Sequence, residues 1–217
     1  MQYFLSGLAV AVAFASLLLS LAAFKVQQRR TNMELARSLH HDLTSGEVAK
    51  ARESLGTITR DTTVAPSDRA ERRTWYVRAR TDYFTLLWCF ERIWAGRKAI
   101  IADYRTGAAS RPCRYLDNLI GWHVRNWAFD LPVIRQILNN ELGSEPAEDD
   151  DGVLDRDSSM AFRKLSAEVL CEEDRKKLMW FLKEHGLNAV GVDASEQRAS
   201  EQPLADKLDY RLGGDPG

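Results

Sequence analysis

Cysteine is scarce in this sequence and surplus charge is almost absent, and each shortage removes a class of function. Cys89, Cys113 and Cys171 are odd in number, widely spaced and in no CxxC pair. That argues against a disulfide framework and against a cysteine zinc site. The 30 basic residues stand against 31 acidic ones, a formal net charge of -1, so no whole-chain field draws the protein onto nucleic acid. No nucleic-acid partner is expected. The chain also has no GxGxxG, no Walker lysine loop, no GxSxG and no HExxH, which leaves the common nucleotide and hydrolase signatures out. No cofactor and no metal are expected. The nearest thing to a calcium loop, Asp149-Asp150-Asp151-Gly152, lacks the alternating ligand spacing and the closing Glu.

What is present begins with a hydrophobic run. Residues 3–24, Tyr3 to Phe24, carry no charge, and at about 1.5 Å per residue they reach roughly 33 Å, enough for a hydrocarbon core of about 30 Å. The expectation is a single transmembrane helix, with residues 1–30 forming the anchor and its basic flank. A secretory signal would start with basic residues and carry a shorter apolar run. Ser20-Leu21-Ala22 does resemble a cleavage site, and secretion after cleavage is the alternative. Lys25, Arg29, Arg30 and Arg37 follow the run, while Gln2 and Tyr3 offer nothing opposite. This asymmetry places the C-terminal domain in the cytoplasm and the N-terminus outside. Gly7, Ala11 and Ala15 form a small-xxx-small row through which two copies can approach closely.

The remainder reads as all-α, a helical bundle with two long central helices. Lys25 to Leu43 reads as a helical stalk, with Met33, Ala36, Leu39 and Leu43 at helical spacing. Thr44-Ser45-Gly46-Glu47 matches a capping box and predicts a new helix, followed by a loop from Thr59 to Pro66. Pro66, Ser67 and Asp68 are helix-start residues, and the helix they begin is expected to end at Gly96. Its segment Tyr83 to Phe90 is apolar on every side, as in a helix surrounded by others. A second long helix from about Cys113 is expected to break or kink at Asp130-Leu131-Pro132. The domain scheme is therefore a bundle over 31–143, an acidic linker over 144–159, a helical hairpin over 160–189 closed by Gly186, and a polar disordered tail over 190–217.

Candidate chemistry is sparse. Glu91 directly follows the apolar run, so its carboxylate is expected to be partly buried and to pair with Arg125 or meet His123, because an unpaired buried charge is costly. His123, among Leu116, Ile120 and Trp127, reads as a core histidine satisfied by one hydrogen bond. His40-His41-Asp42 makes a poor metal triplet, since adjacent helical residues point about 100° apart. Cys113 lies between Arg111 and Arg114 at a helix start, a setting that lowers a thiol pKa. Arg69, Arg73 and Arg80 share one helix face and suit an acidic partner or anionic lipid.

Two functions stand against each other on this reading. The first is a membrane-anchored module that binds a still unidentified protein. The second is an enzyme with its site between the two long helices around Glu91, His123 and Arg125.

Overall fold

The computed structural model describes residues 2–60, 65–102, 110–142 and 152–187, with side chains over 12–60, 65–102, 111–140 and 158–187. Among these residues the chain is all-helical, with six helices: α1 Gln2–Thr44, α2 Gly46–Arg60, α3 Arg69–Ala102, α4 Ser110–Leu142, α5 Gly152–Val169 and α6 Glu172–Glu184. Helix α3 is the central strut, and α1, α2, α4 and α5 all pack on it.

Its sequence explains that position. Ala79, Tyr83, Leu86, Phe90, Ile93, Arg97 and Ile100 are all buried, and they recur at alternating steps of four and three, the seam spacing of packed helices. Asp68 caps the helix as expected, its Oδ1 accepting from the N–H groups of Ala70 at 2.9 Å and Glu71 at 3.0 Å. Trp88 is 52% exposed, so the run from Tyr83 to Phe90 is not enclosed on every side.

Gly96 does not end α3, which continues to Ala102. There α1 and α3 cross closely: a Cβ on Gly96 would lie 2.5 Å from Leu39 Cδ1. The glycine serves close approach, and burial of Ile93, Arg97 and Ile100 on the same stripe outweighs its weak helix propensity. Pro132 likewise sits inside α4 without ending it. Leu131, Ile134 and Leu138 are buried around it, and their burial holds the helix through the missing N–H.

The expected stalk is a member of the bundle. From Asn32 onward α1 buries Ala36, Leu39 and Leu43 against α3 and α4. The capping box after it does not form. Thr44 turns its hydroxyl back onto the His40 carbonyl at 2.9 Å, and the chain reverses at Gly46, whose φ of 61° suits glycine. The acidic linker is also shorter than its composition suggested. Helix α5 starts at Gly152, and Ser158 and Ser159 are buried. Gly186 does close α6, with a φ of 59° and the Leu187 N–H donating to the Leu182 carbonyl at 2.8 Å.

Among the described residues no helix is long and apolar enough to cross a membrane. The span expected over 3–24 falls partly on residues 3–11, whose side chains lie outside the described ones. Gly7 and Ala11 of the small-residue row are among them, as are residues 143–151 of the linker and the tail from 188 onward.

Candidate functional site

The three residues expected to form one polar cluster face three directions. Glu91 looks toward α5, where its Oε2 accepts the Ser158 hydroxyl at 2.8 Å, in an open recess shared with Lys98 and Lys164. Arg125 is half-exposed and pairs with Asp174 of α6, Nε to Oδ1 at 3.2 Å. His123 looks toward α1 and α2, with its ring 5.9 Å from that of His40 and edge-on to Trp122 at 5.0 Å. The Glu91–Arg125 pairing is therefore not made. The reason is geometric: α5 and α6 cover the two sides of α3 and α4 that sequence spacing alone had turned toward each other.

Among the described residues the charge that is deeply buried lies six residues beyond Glu91 on α3. Arg97 is 7% exposed and forks onto Asp117 of α4, Nε to Oδ1 at 2.8 Å and Nη2 to Oδ2 at 3.1 Å, while its Nη1 bonds Glu168 of α5. The two parallel bonds match guanidinium to carboxylate geometry. The hydrogen bond to Asp117 raises the Arg97 pKa further, so this cation is permanent. It joins three helices. The signal for it was the four-and-three seam of α3, which reaches Arg97 once the helix is carried through Gly96.

Cys113 belongs to the same network. Its Sγ lies 3.7 Å from Asp117 Oδ2, and burial first, then the Asp117 charge, push its thiol pKa up. The activation expected from Arg111 and Arg114 does not arise: the cation that acts on the thiol is Arg97, and burial with Asp117 outweighs it. Cys89, deeper in α3, is pushed up to about 11, mainly by burial. Neither thiol is primed for nucleophilic attack.

His123 is held neutral. Burial, then Arg52, then His40 lower its pKa to about 4, and its Nδ1 is buried without a protein partner among the described residues. The single hydrogen bond expected of it is not there. The depressed value makes the folded state resist protonation that the unfolded chain accepts near pH 6.5. Stability is thus complete above pH 6.5 and is lost as pH falls toward 4. The loss is expected to be roughly 2 kcal/mol after discounting the ring's partial solvent access. Urea unfolding at pH 7.5 and 4.5 measures it, and His123→Phe should flatten that dependence; an unchanged slope would refute the assignment.

An open cleft of about 570 Å³ does exist, between α2 and α4 rather than between α3 and α4. Arg52, Glu53, Arg60, Trp122, Asn126 and Asp130 line it. Burial raises the Asp130 pKa and Arg60 opposes the rise. The lining mixes two cations with two carboxylates and the hydroxyl of Thr59, which donates to the Gly56 carbonyl at 3.3 Å, so the cleft can receive a polar group.

Of the arginine face, Arg69 and Arg73 are exposed, and Arg80 lays its guanidinium over the Phe84 ring at 5.6 Å. In the His40-His41-Asp42 triplet, Asp42 pairs with Arg92 at 2.7 Å, and no group of three or more metal-ligating side chains occurs among the described residues. Compared with known protein families, curated proteins and solved structures, the chain matches none.

Proposed function

We propose that this chain is a membrane-anchored helical interaction module. Residues 3–24 cross a bilayer once, and the bundle sits on the side of the basic flank, in the cytoplasm, where it presents its surface to a partner protein. One observation carries the reading. Between Val12 and Val26, α1 leaves the bundle with apolar side chains exposed around its whole circumference, among them Phe14 at 62%, Leu18 at 52%, Leu19 at 72% and Phe24 at 65%.

In water each such side chain forfeits about 1.5–3 kcal/mol of burial, so the set costs on the order of 10 kcal/mol. In lipid that cost vanishes. The polar groups of the segment suit lipid as well: the Ser16 and Ser20 hydroxyls donate to the carbonyls one turn back, Val12 at 2.8 Å and Ser16 at 2.9 Å, and so need no water.

The partner surface we favour is the exposed face of Arg69 and Arg73. It lies at the N-terminal end of α3, some 27 residues or about 40 Å from the crossing at Gly96, on the end of α3 remote from the anchor. That distance favours an acidic protein over lipid headgroups for this face. Pairing of two anchors through Gly7, Ala11 and Ala15 is a compatible extension. Glu91, His123 and Arg125 stand apart among the described residues, so the enzyme reading moves to the α2–α4 cleft.

Full-length protein is expected to remain in the membrane pellet after alkaline carbonate washing, with residues 3–24 still attached. Release into the wash, or a mature chain beginning near Ala23, would overturn the anchor and favour secretion.

A further inference from the structure

The end of the bundle that faces the anchor carries a basic surface assembled from three helices. Its orientation follows from contacts. Leu39 packs at Gly96 and Asp42 pairs with Arg92, so α1 and α3 run antiparallel and the C-terminal end of α3 points back toward the anchor. Arg37 Nε donates to Tyr115 Oη at 3.4 Å, and His123 lies further along α4 beside His40, so the first turn of α4 lies at the same end. Lys98 on α3 and Arg111 and Arg114 on α4 are all exposed there, as are Lys25, Arg29 and Arg30 on α1.

The distances suit headgroups. Asn32, the first buried residue among those described in α1, is eight residues past Phe24, about 12 Å. The polar layer of a bilayer extends roughly 5–8 Å beyond its hydrocarbon, and charges act over a further 8–10 Å in physiological salt. Lys98 sits two residues toward the anchor from the Leu39–Gly96 crossing, roughly 20 Å from Phe24, and its side chain spans much of the remaining gap. The acids described nearby offset this surface only in part. Asp117 and Glu168 share the single charge of Arg97, Glu91 shares a recess with Lys98 and Lys164, and Glu34 is exposed on α1. Against them stand the six exposed cations Lys98, Arg111, Arg114, Lys25, Arg29 and Arg30. Ile101, 40% exposed at the same end, adds an apolar contact.

We infer that Lys98, Arg111 and Arg114, together with Lys25, Arg29 and Arg30, dock this end of the bundle onto the anionic headgroups of the leaflet the anchor crosses. The inference rests on the anchor reading. Each cation near such a surface biases docking roughly fivefold, so the bundle lies against the bilayer instead of swinging free. The Arg69 and Arg73 face is then presented outward.

Amine-reactive labelling followed by mass spectrometry tests this on full-length protein reconstituted in phosphatidylcholine vesicles with and without phosphatidylglycerol. Lys98 modification is expected to fall at least threefold in the anionic vesicles and to recover in high salt, where surface charge is screened. Lys183, on the distal part of α6, should label equally in both. The double variant Arg111→Glu with Arg114→Glu should restore Lys98 labelling in anionic vesicles. Equal Lys98 labelling in the two lipids, with the protein carbonate-resistant in both, would overturn the docking while leaving the anchor. Carbonate release from both would remove the anchor and the docking together.

Discussion

Arg97→Ala is expected to destabilise the bundle by about 2–4 kcal/mol, the largest effect of any single charged residue among those described. Removing one member of a buried ion pair leaves the others uncompensated, a loss of about 3–5 kcal/mol where burial is complete. Here the side chains of Asp117 and Glu168 keep 26% and 45% of their exposure, and that access to water lowers the figure. Glu168 can swing into solvent. Asp117 cannot do so freely, because it also faces Cys113. Replacing Arg97 and Asp117 together by leucine should recover most of the loss, since a buried pair is often no more stable than apolar groups of like size. Urea unfolding of full-length protein in mild detergent reads both results. A loss under 1 kcal/mol for Arg97→Ala would show that the network orders the helices without stabilising them.

Phe90→Ala is expected to cost about 3–5 kcal/mol through the cavity it leaves. Phe90 is fully buried at the middle of the α3 seam, and its ring lies 4.7 Å from that of Phe162 on α5. The damage should therefore be directional. Amide exchange in α5 is expected to accelerate first, ahead of α1 and α2, because with the Phe90 ring gone α5 holds to α3 through Leu165, the Glu91–Ser158 bond and the half-exposed Arg97–Glu168 pair. Uniform acceleration throughout the bundle would show that the chain unfolds as one cooperative unit, without a weaker α5.

The contrast between Arg97 and Glu91 shows where sequence reasoning stopped. A carboxylate that follows eight uncharged residues invites the inference of partial burial, and Glu91 is half-buried, but it flanks the seam and takes Ser158 as its partner in an open recess instead of Arg125 or His123. The buried charge is on the seam itself. It was missed because Gly96 was given the weight of a helix terminator, when tertiary contact with Leu39 made glycine the residue that fits the crossing. Pro132 and the acidic run before Ser158 misled in the same way. Local propensities of about 1–3 kcal/mol per residue yielded to burial of whole helical stripes.

The sequence alone determined what depends on neighbours within a few turns: that the chain is helical, that α3 begins by the Pro66-Ser67-Asp68 signal, that Gly186 closes α6, and that an uncharged run precedes a basic flank. These follow from side-chain chemistry at spacings of three and four, which a linear reading sees directly. Only the tertiary structure decided which helix lies beside which. From that came the Arg97–Asp117–Glu168 link, the separation of Glu91, His123 and Arg125, and the gathering of Lys98, Arg111 and Arg114 at the end of the bundle nearest residue 24. Partners distant in sequence are selected by the packing of complete faces, and a charge's neighbours across such a face leave no periodic trace along the chain.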